Sequence, residues 1–359
     1  MTRVMDSPYM QWAKLHSGSK YNLASSGLTH YPLGELAVKL DDLELSGPSF
    51  YGYEPLQQAL AKKCQVDPAC VVAANGASMA NHLAMAVAFA PGEEVLFEHP
   101  TYELLTSTAQ FLGAQVRYFK RNFADGFRLD PAEVERALTR RTKLIVISNM
   151  HNPSGVFTDN DTLKQIGELA CGVGAKVLVD EVYREAMFEA MPPSAFHLGE
   201  EFIVTSSLTK VYGLSGLRCG WILAGPDLAE KMWRLNDLFG VIPPHATERL
   251  SVIALAQLDR IAQRARTILQ VNRNLLNTFF DARDDLQAVR SEFGMISFPK
   301  LLHGDVESLC SRLRATYETT VVPGRFFDMP QHFRLAIGGP TETLRAGLER
   351  LGHALDEGR

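Results

Sequence analysis

Between residues 70 and 225, short apolar runs recur and alternate with stretches whose apolar positions fall at helical spacing. The runs are "CVVAANG" (70–76), "EEVLFEHP" (93–100), "QVRYFK" (115–120), "TKLIVIS" (142–148), "AKVLVDEV" (175–182), "EFIVTSSL" (201–208) and "GWILAG" (220–225). They are rich in β-branched residues and bounded by Gly, Pro, Asn or Asp, so they predict strands. "SMANHLAMAVAFA" (78–90), "TYELLTSTAQFLG" (101–113) and "NDTLKQIGELACGVG" (160–174) predict helices between them. The runs are continuously apolar rather than alternating, as expected for strands covered on both faces. The fold class that follows is α/β: a three-layer α/β/α unit around a mainly parallel sheet.

After residue 245 the pattern changes. The stretch 246–282 keeps helical spacing without Gly or Pro, which predicts one long helix or two abutting ones. Strand-like "MISFPK", a helix near 305–316, strand-like "TTVVPG" and "FRLAIG", and a final amphipathic helix follow. This reads as a smaller α+β domain built from 251–359 together with 1–35, beside a large domain of 36–250.

Composition narrows the function classes. Of 359 residues 46% are hydrophobic and 21% charged, which suits a protein with a substantial core. A net charge of −5 gives no electrostatic reason to expect nucleic acid or an acidic membrane as partner. The five cysteines are odd in number and lack CxxC spacing, so reduced thiols in a cytoplasmic setting are expected. The first residues lack the apolar core of a signal peptide, and "HLAMAVAFA" is about half a membrane span. The histidines show no paired ligand spacing, so no metal site is expected.

The candidate chemistry lies just past the strand ends, where ligands of such sheets collect. "TKLIVIS" delivers Asn152, "AKVLVD" delivers Asp180 and then Tyr183, and "EFIVTSS" delivers Ser207, Thr209 and Lys210. "CVVAANGASMA" passes through Gly76 into a helix whose first turn holds Ala77 and Ser78, a place where free amides could receive an anion. Taken singly, each is an ordinary cap, turn or packing residue. Together they describe a site for a phosphorylated pyridine bearing an aldehyde and a hydroxyl, namely pyridoxal 5′-phosphate. Arg218 and Ser207 would meet the phosphate and Asp180 a protonated ring nitrogen. Asn152 and Tyr183 would meet the ring oxygen, and Lys210 would act as Schiff-base nucleophile.

"NGAS", "PTY" (100–102), "HNPSG", "DEVY", "SLTKVYGLSGLRCGW" and "FRLAIG" occur in the order and at spacings that resemble fold-type I pyridoxal-phosphate enzymes of the class I/II aminotransferase family. The resemblance implies the PLP-dependent transferase type I fold and a homodimer. It implies that Lys210 is the covalent tether and moves the α-proton, with Asp180 keeping the ring an electron sink and Tyr183 and Asn152 tuning the ring oxygen. Gly76, Ala77, Ser78, Ser207, Thr209 and Arg218 fall to the phosphate side, Tyr102 to the ring face and Arg334 to the substrate carboxylate. Where relatives place a glycine beside the carboxylate, "NLASSG" offers Ser26 and Gly27. Tyr51 is the candidate for a tyrosine offered from a neighbouring subunit, and Arg325 reads as a surface arginine. His151, Trp221, Phe326 and Phe327 are expected to be structural. The activity implied is amino transfer between an L-amino acid and a 2-oxo acid. A lyase, decarboxylase or cyclising synthase using the same residues is the alternative. A non-catalytic effector-binding protein is a third reading, disfavoured because regulators of that kind carry an added DNA-binding domain.

Overall fold

The computed structural model describes residues 5–16 and 18–358. The seven strand runs predicted between residues 70 and 225 form one seven-stranded sheet: β1 (Val71–Asn75), β2 (Glu94–His99), β3 (Gln115–Lys120), β4 (Thr142–Ser148), β5 (Lys176–Asp180), β6 (Phe202–Ser207) and β7 (Cys219–Leu223). Their spatial order is β1-β7-β6-β5-β4-β2-β3, and only the pairings of β7 with β6 and with β1 are antiparallel. The sheet is therefore mainly parallel. The direction of β7 could not be read from its apolar run, because either direction buries the same side chains.

Strands β4, β5 and β6 are buried almost from end to end. Each fully buried Val, Ile or Leu contributes roughly 1.5–3 kcal/mol of transfer free energy, which is why apolarity is continuous here. Helices flank the sheet: α1 (Pro8–His16), α2 (Glu54–Cys64), α3 (Gly76–Ala88), α4 (Glu103–Phe111), α5 (Pro131–Ala137), α6 (Asn160–Val173) and α7 (Pro226–Asn236). Local chemistry sets their ends. Asp159 caps α6 by accepting from Thr162 N at 2.8 Å, and Gly174 closes it with a left-handed φ of 70°.

The 246–282 stretch resolves into two abutting helices, α8 (His245–Ala256) and α9 (Leu258–Asp281), broken at Gln257. Beyond them α10 (Val306–Tyr317) and α11 (Thr341–Asp356) pack together. A three-stranded sheet joins Ile296–Ser297, Phe333–Ala336 and Val322–Pro323. Tyr21–Asn22 pairs in parallel with Thr319–Thr320, so the early chain associates with the C-terminal elements. That pairing brings residues 23–28 against the ends of β6 and the Phe333–Ala336 strand. Leu28 N donates to Lys210 O at 2.7 Å, and Ala336 N donates to Leu23 O at 2.8 Å.

Candidate active site

A cavity of about 210 Å³ opens at the carboxyl ends of β4, β5 and β6. Asn152, Asp180, Tyr183, Ser207, Thr209 and Lys210 all line it, as the strand-end reading predicts. Ala77, Ser78, Tyr102, Ser26 and Arg218 complete much of the wall. A larger hollow of about 340 Å³ lies against α10 and α11, but none of the predicted residues is there. Chemistry rather than size selects the first.

Lys210 stands just past β6, and its Nζ donates to Ser26 Oγ at 3.1 Å. Burial lowers the pKa of its amine, and Arg334 and Arg218 push the same way, while Tyr9 and Asp180 oppose. A lysine held toward its neutral form is a usable nucleophile and base. Ser26 thus reaches the site from the N-terminal segment, which the Tyr21–Asn22 pairing holds in place.

Asp180 ends β5 and is buried. Asn81 Nδ2 donates to its Oδ2 at 2.8 Å, and Val182 N donates to its Oδ1 at 3.2 Å. Burial pushes the carboxyl's pKa upward; these hydrogen bonds and Lys210 pull it partly back. Among the described residues no cation contacts this carboxylate, a need that a protonated ring nitrogen would meet. Asn81 is itself oriented, since Thr205 Oγ1 on β6 donates to its Oδ1 at 2.6 Å.

At the other end of the cavity, β1 turns into α3 through Gly76, whose φ is +76°. A Cβ there would lie 2.1 Å from Arg218 Nη2, so only glycine lets the guanidinium cross the helix start. Gly220 is required likewise, because a Cβ on it would meet Gly76 C at 2.4 Å. Beside this cradle, the buried Thr209 Oγ1 has no hydrogen-bond partner among the described residues. Among the described residues the Arg218 guanidinium makes one hydrogen bond, a long one of 3.4 Å to Asn75 O. A helix N-terminus, a free hydroxyl and an under-used guanidinium suit a phosphate group. The anion-binding end, the Lys210 amine and the Asp180 carboxylate border one cavity, and this set fits pyridoxal phosphate.

Arg334 is wholly buried in the Phe333–Ala336 strand, one layer behind the cavity wall. Its Nη1 donates to Asn152 Oδ1 at 2.8 Å. Its Nη2 donates to Tyr9 Oη at 2.7 Å and to Ala24 O at 3.3 Å, and its Nε has no partner. None of these acceptors is a carboxylate. Tyr183 is buried and hydrogen-bonded with Ser26, and burial raises its phenol's pKa.

Some predicted residues lie off the cavity. Gly27 contributes backbone only: a Cβ on Gly338 would strike Gly27 O at 2.3 Å, so the two segments pack main chain against main chain. Tyr51 is 56% exposed and donates to Asp237 Oδ2 at 3.0 Å, away from the cavity of its own chain. Arg325 pairs with Glu307 at the surface and stacks on Phe326. His151 is buried between Pro100 O at 2.8 Å and Ser154 Oγ at 2.7 Å, where burial holds it neutral; Trp221 and Phe327 are core.

Sequence reasoning missed Tyr9 and Asn81. Asn81 carried a signal, being a polar residue in the middle of the apolar "SMANHLAMAVAFA". Tyr9 carried none, because its partner lies 325 positions away.

The chain matches the family aminotransferase class I and II over residues 39–351. It is 29% identical to a capreomycidine synthase from Streptomyces vinaceus, covering 97% of this chain and 93% of that protein. Its structure superposes on a PLP-dependent aminotransferase from Streptococcus suis with a TM-score of 0.94 at 26% identity, covering 100% of this chain and 99% of that one. It superposes on the PLP-dependent cyclase OrfR with a TM-score of 0.90 at 25% identity, covering 99% of each. The two solved structures share the overall fold described above. The chain therefore belongs to the aminotransferase class I and II family, has the fold-type I architecture and takes pyridoxal phosphate as its cofactor.

Proposed function

We propose that the protein is an aminotransferase that moves an amino group between an L-amino acid and a 2-oxo acid, with Lys210 as the group that carries the proton. The observation behind this reading is that a lysine amine whose pKa burial lowers and a buried carboxylate line one cavity, with the buried Arg334 guanidinium bonded to the lining residue Asn152. Bound pyridoxal phosphate supplies an electron sink for the charge left at a substrate α-carbon.

The protein's own groups divide the remaining work. Arg334 orients the substrate by its carboxylate, which selects the α-carbon bond presented for cleavage. Lys210 Nζ takes a proton from that carbon and returns it, needing no diffusing base. Asp180 would hold a proton on the ring nitrogen, and Asn81 fixes the carboxylate's direction. Asn152 turns its Oδ1 to Arg334, which leaves Nδ2 for the ring oxygen beside Tyr183. Gly76, Ala77, Ser78, Ser207, Thr209 and Arg218 would hold the phosphate.

A second reading is a cyclising synthase, favoured by the likeness to capreomycidine synthase and to the cyclase OrfR. Incubating the holoenzyme with an amino-acid panel and either pyruvate or 2-oxoglutarate separates the two. New amino acid formed from the 2-oxo acid supports transfer. A product that keeps its nitrogen and gains a ring, with no amino transfer, supports the synthase and defeats the first reading.

A homodimer is also proposed. Phe50 and Tyr51 are exposed, as are Leu238, Phe239 and Val241, and the Tyr51–Asp237 hydrogen bond ties the two segments into one apolar surface. This surface would deliver Tyr51 toward the partner's site. Sedimentation equilibrium at micromolar protein showing only monomer would refute it.

A further inference from the structure

Arg334 raises a question that the family assignment leaves open. A wholly buried guanidinium should be paired, since an uncompensated charge away from water is costly. No carboxylate among the described residues bonds to it; its partners are an amide oxygen, a phenol oxygen and a backbone carbonyl. One of them, Tyr9 Oη, stands at 2.7 Å from Nη2 and is supplied by α1. Arg334 does not reach the cavity wall, whereas α1 does through Met10, the neighbour of Tyr9. Tyr9 does not line the cavity either, but its ring meets Tyr102, which does, so a carboxylate that reaches the guanidinium competes with the Tyr9 oxygen for Nη2.

The surroundings of Tyr9 suit a group that leaves and returns. Its ring is held by edge contacts with Tyr102 (centroids 5.5 Å apart) and Phe326 (5.6 Å) and a tilted contact with Phe327 (6.2 Å). These contacts do not depend on the hydroxyl. Helix α1 is tied to α4 by a hydrogen bond from Ser7 Oγ to Glu103 and by Tyr102 Oη to Met10 Sδ at 3.3 Å. The Tyr9 oxygen bonds the guanidinium, whose Cζ also lies 5.5 Å from the centroid of the Tyr9 ring, so loss of the hydroxyl removes the acceptor and keeps the ring contact.

We propose that Tyr9 is a displaceable stand-in for the substrate's α-carboxylate: its oxygen occupies Arg334 Nη2 in the free protein and yields to the acid on binding. A phenol oxygen is a weaker acceptor than a carboxylate, so the exchange favours the substrate. An amine without a carboxylate cannot make the exchange. Tyr9 is thus a specificity-determining residue that selects α-amino acids over simple amines. This inference rests on the reading of Arg334 as the carboxylate site.

The test is spectrophotometric titration of the holoenzyme with 2-methylalanine, which has no α-proton to lose, and with isopropylamine, its counterpart without the carboxylate. Tyr9→Phe keeps the ring and removes the competing acceptor. It should tighten 2-methylalanine by about tenfold while isopropylamine stays within about twofold. Unchanged or weaker binding of 2-methylalanine overturns the proposal, as does an equal gain for both compounds. Arg334→Met identifies a failure of the underlying reading. If that variant keeps the wild-type preference for 2-methylalanine over isopropylamine, Arg334 is not the carboxylate site and this inference falls with it. A melting temperature of Tyr9→Phe close to wild type shows that the ring still docks.

Discussion

Two arginines in this molecule are buried almost completely, and they are treated in opposite ways. Arg121 donates from Nη1 to Glu98 Oε2 at 2.8 Å, from Nε to Phe127 O at 2.7 Å and from Nη2 to Thr158 Oγ1 at 3.4 Å. Glu98 in turn accepts from Ser148 N at 2.7 Å and Ser148 Oγ at 2.6 Å. Ser148 Oγ then accepts from Asn152 N at 2.9 Å, so the closed network props the loop that presents Asn152. Among the described residues Arg334 bonds an amide, a phenol and a backbone oxygen, with an idle Nε and no carboxylate. A buried charge whose partners are all internal is architecture; one left short of an opposite charge is prepared for something that arrives.

The contrast can be broken by removing either charge. Arg121→Met leaves Glu98 buried and uncompensated, so it should cost about 3–5 kcal/mol in urea denaturation. Arg334→Met removes a charge that had no counter-charge, and its cost should stay below about 2 kcal/mol in the same measurement. Equal losses would erase the distinction. Asp180→Asn extends the test to the other under-compensated group. The cofactor should stay bound while turnover falls by at least about a hundredfold, as measured by single-turnover kinetics. Unchanged turnover would remove Asp180 from its place at the ring nitrogen.

His332, two residues before Arg334, offers the smallest test. It stacks on Phe298 at 4.9 Å, its ring nitrogens have no partner, and burial with nearby Lys300 lowers its pKa to about 4. The unfolded chain takes up this proton near pH 6.5, which the folded protein refuses. Stability from this group is therefore complete above pH 6.5 and lost as pH falls toward 4, by on the order of 2 kcal/mol. His332→Phe should remove that part of the decline in a pH series of denaturation midpoints. A slope identical to wild type would show that the ring is hydrated.

The sheet and most of the site were legible because their signals are local. A strand buried on both faces needs an unbroken apolar run, and a side chain at its end is identified by where the run stops, as at Asp180 and Lys210. Glycines pressed against other atoms, such as Gly76, stand out for the same reason. What escaped depends on pairings that no short window contains. Tyr9 meets Arg334 only because an early helix is carried to a late strand, and Asn81 meets Asp180 across the sheet. Ser26 was placed by resemblance, yet its bond to Lys210 exists only through the pairing of Tyr21–Asn22 with Thr319–Thr320. The surface role of Tyr51 is invisible within one chain for a related reason: its partner would be another molecule.

The central claim is that Lys210 is the residue that carries the cofactor. Reducing the holoenzyme with borohydride, digesting it and locating the added mass by tandem mass spectrometry tests this directly. The account predicts a phosphopyridoxyl group on Lys210 alone and its complete loss in Lys210→Ala. A stable adduct on any other lysine, or an adduct that survives the substitution, would contradict it.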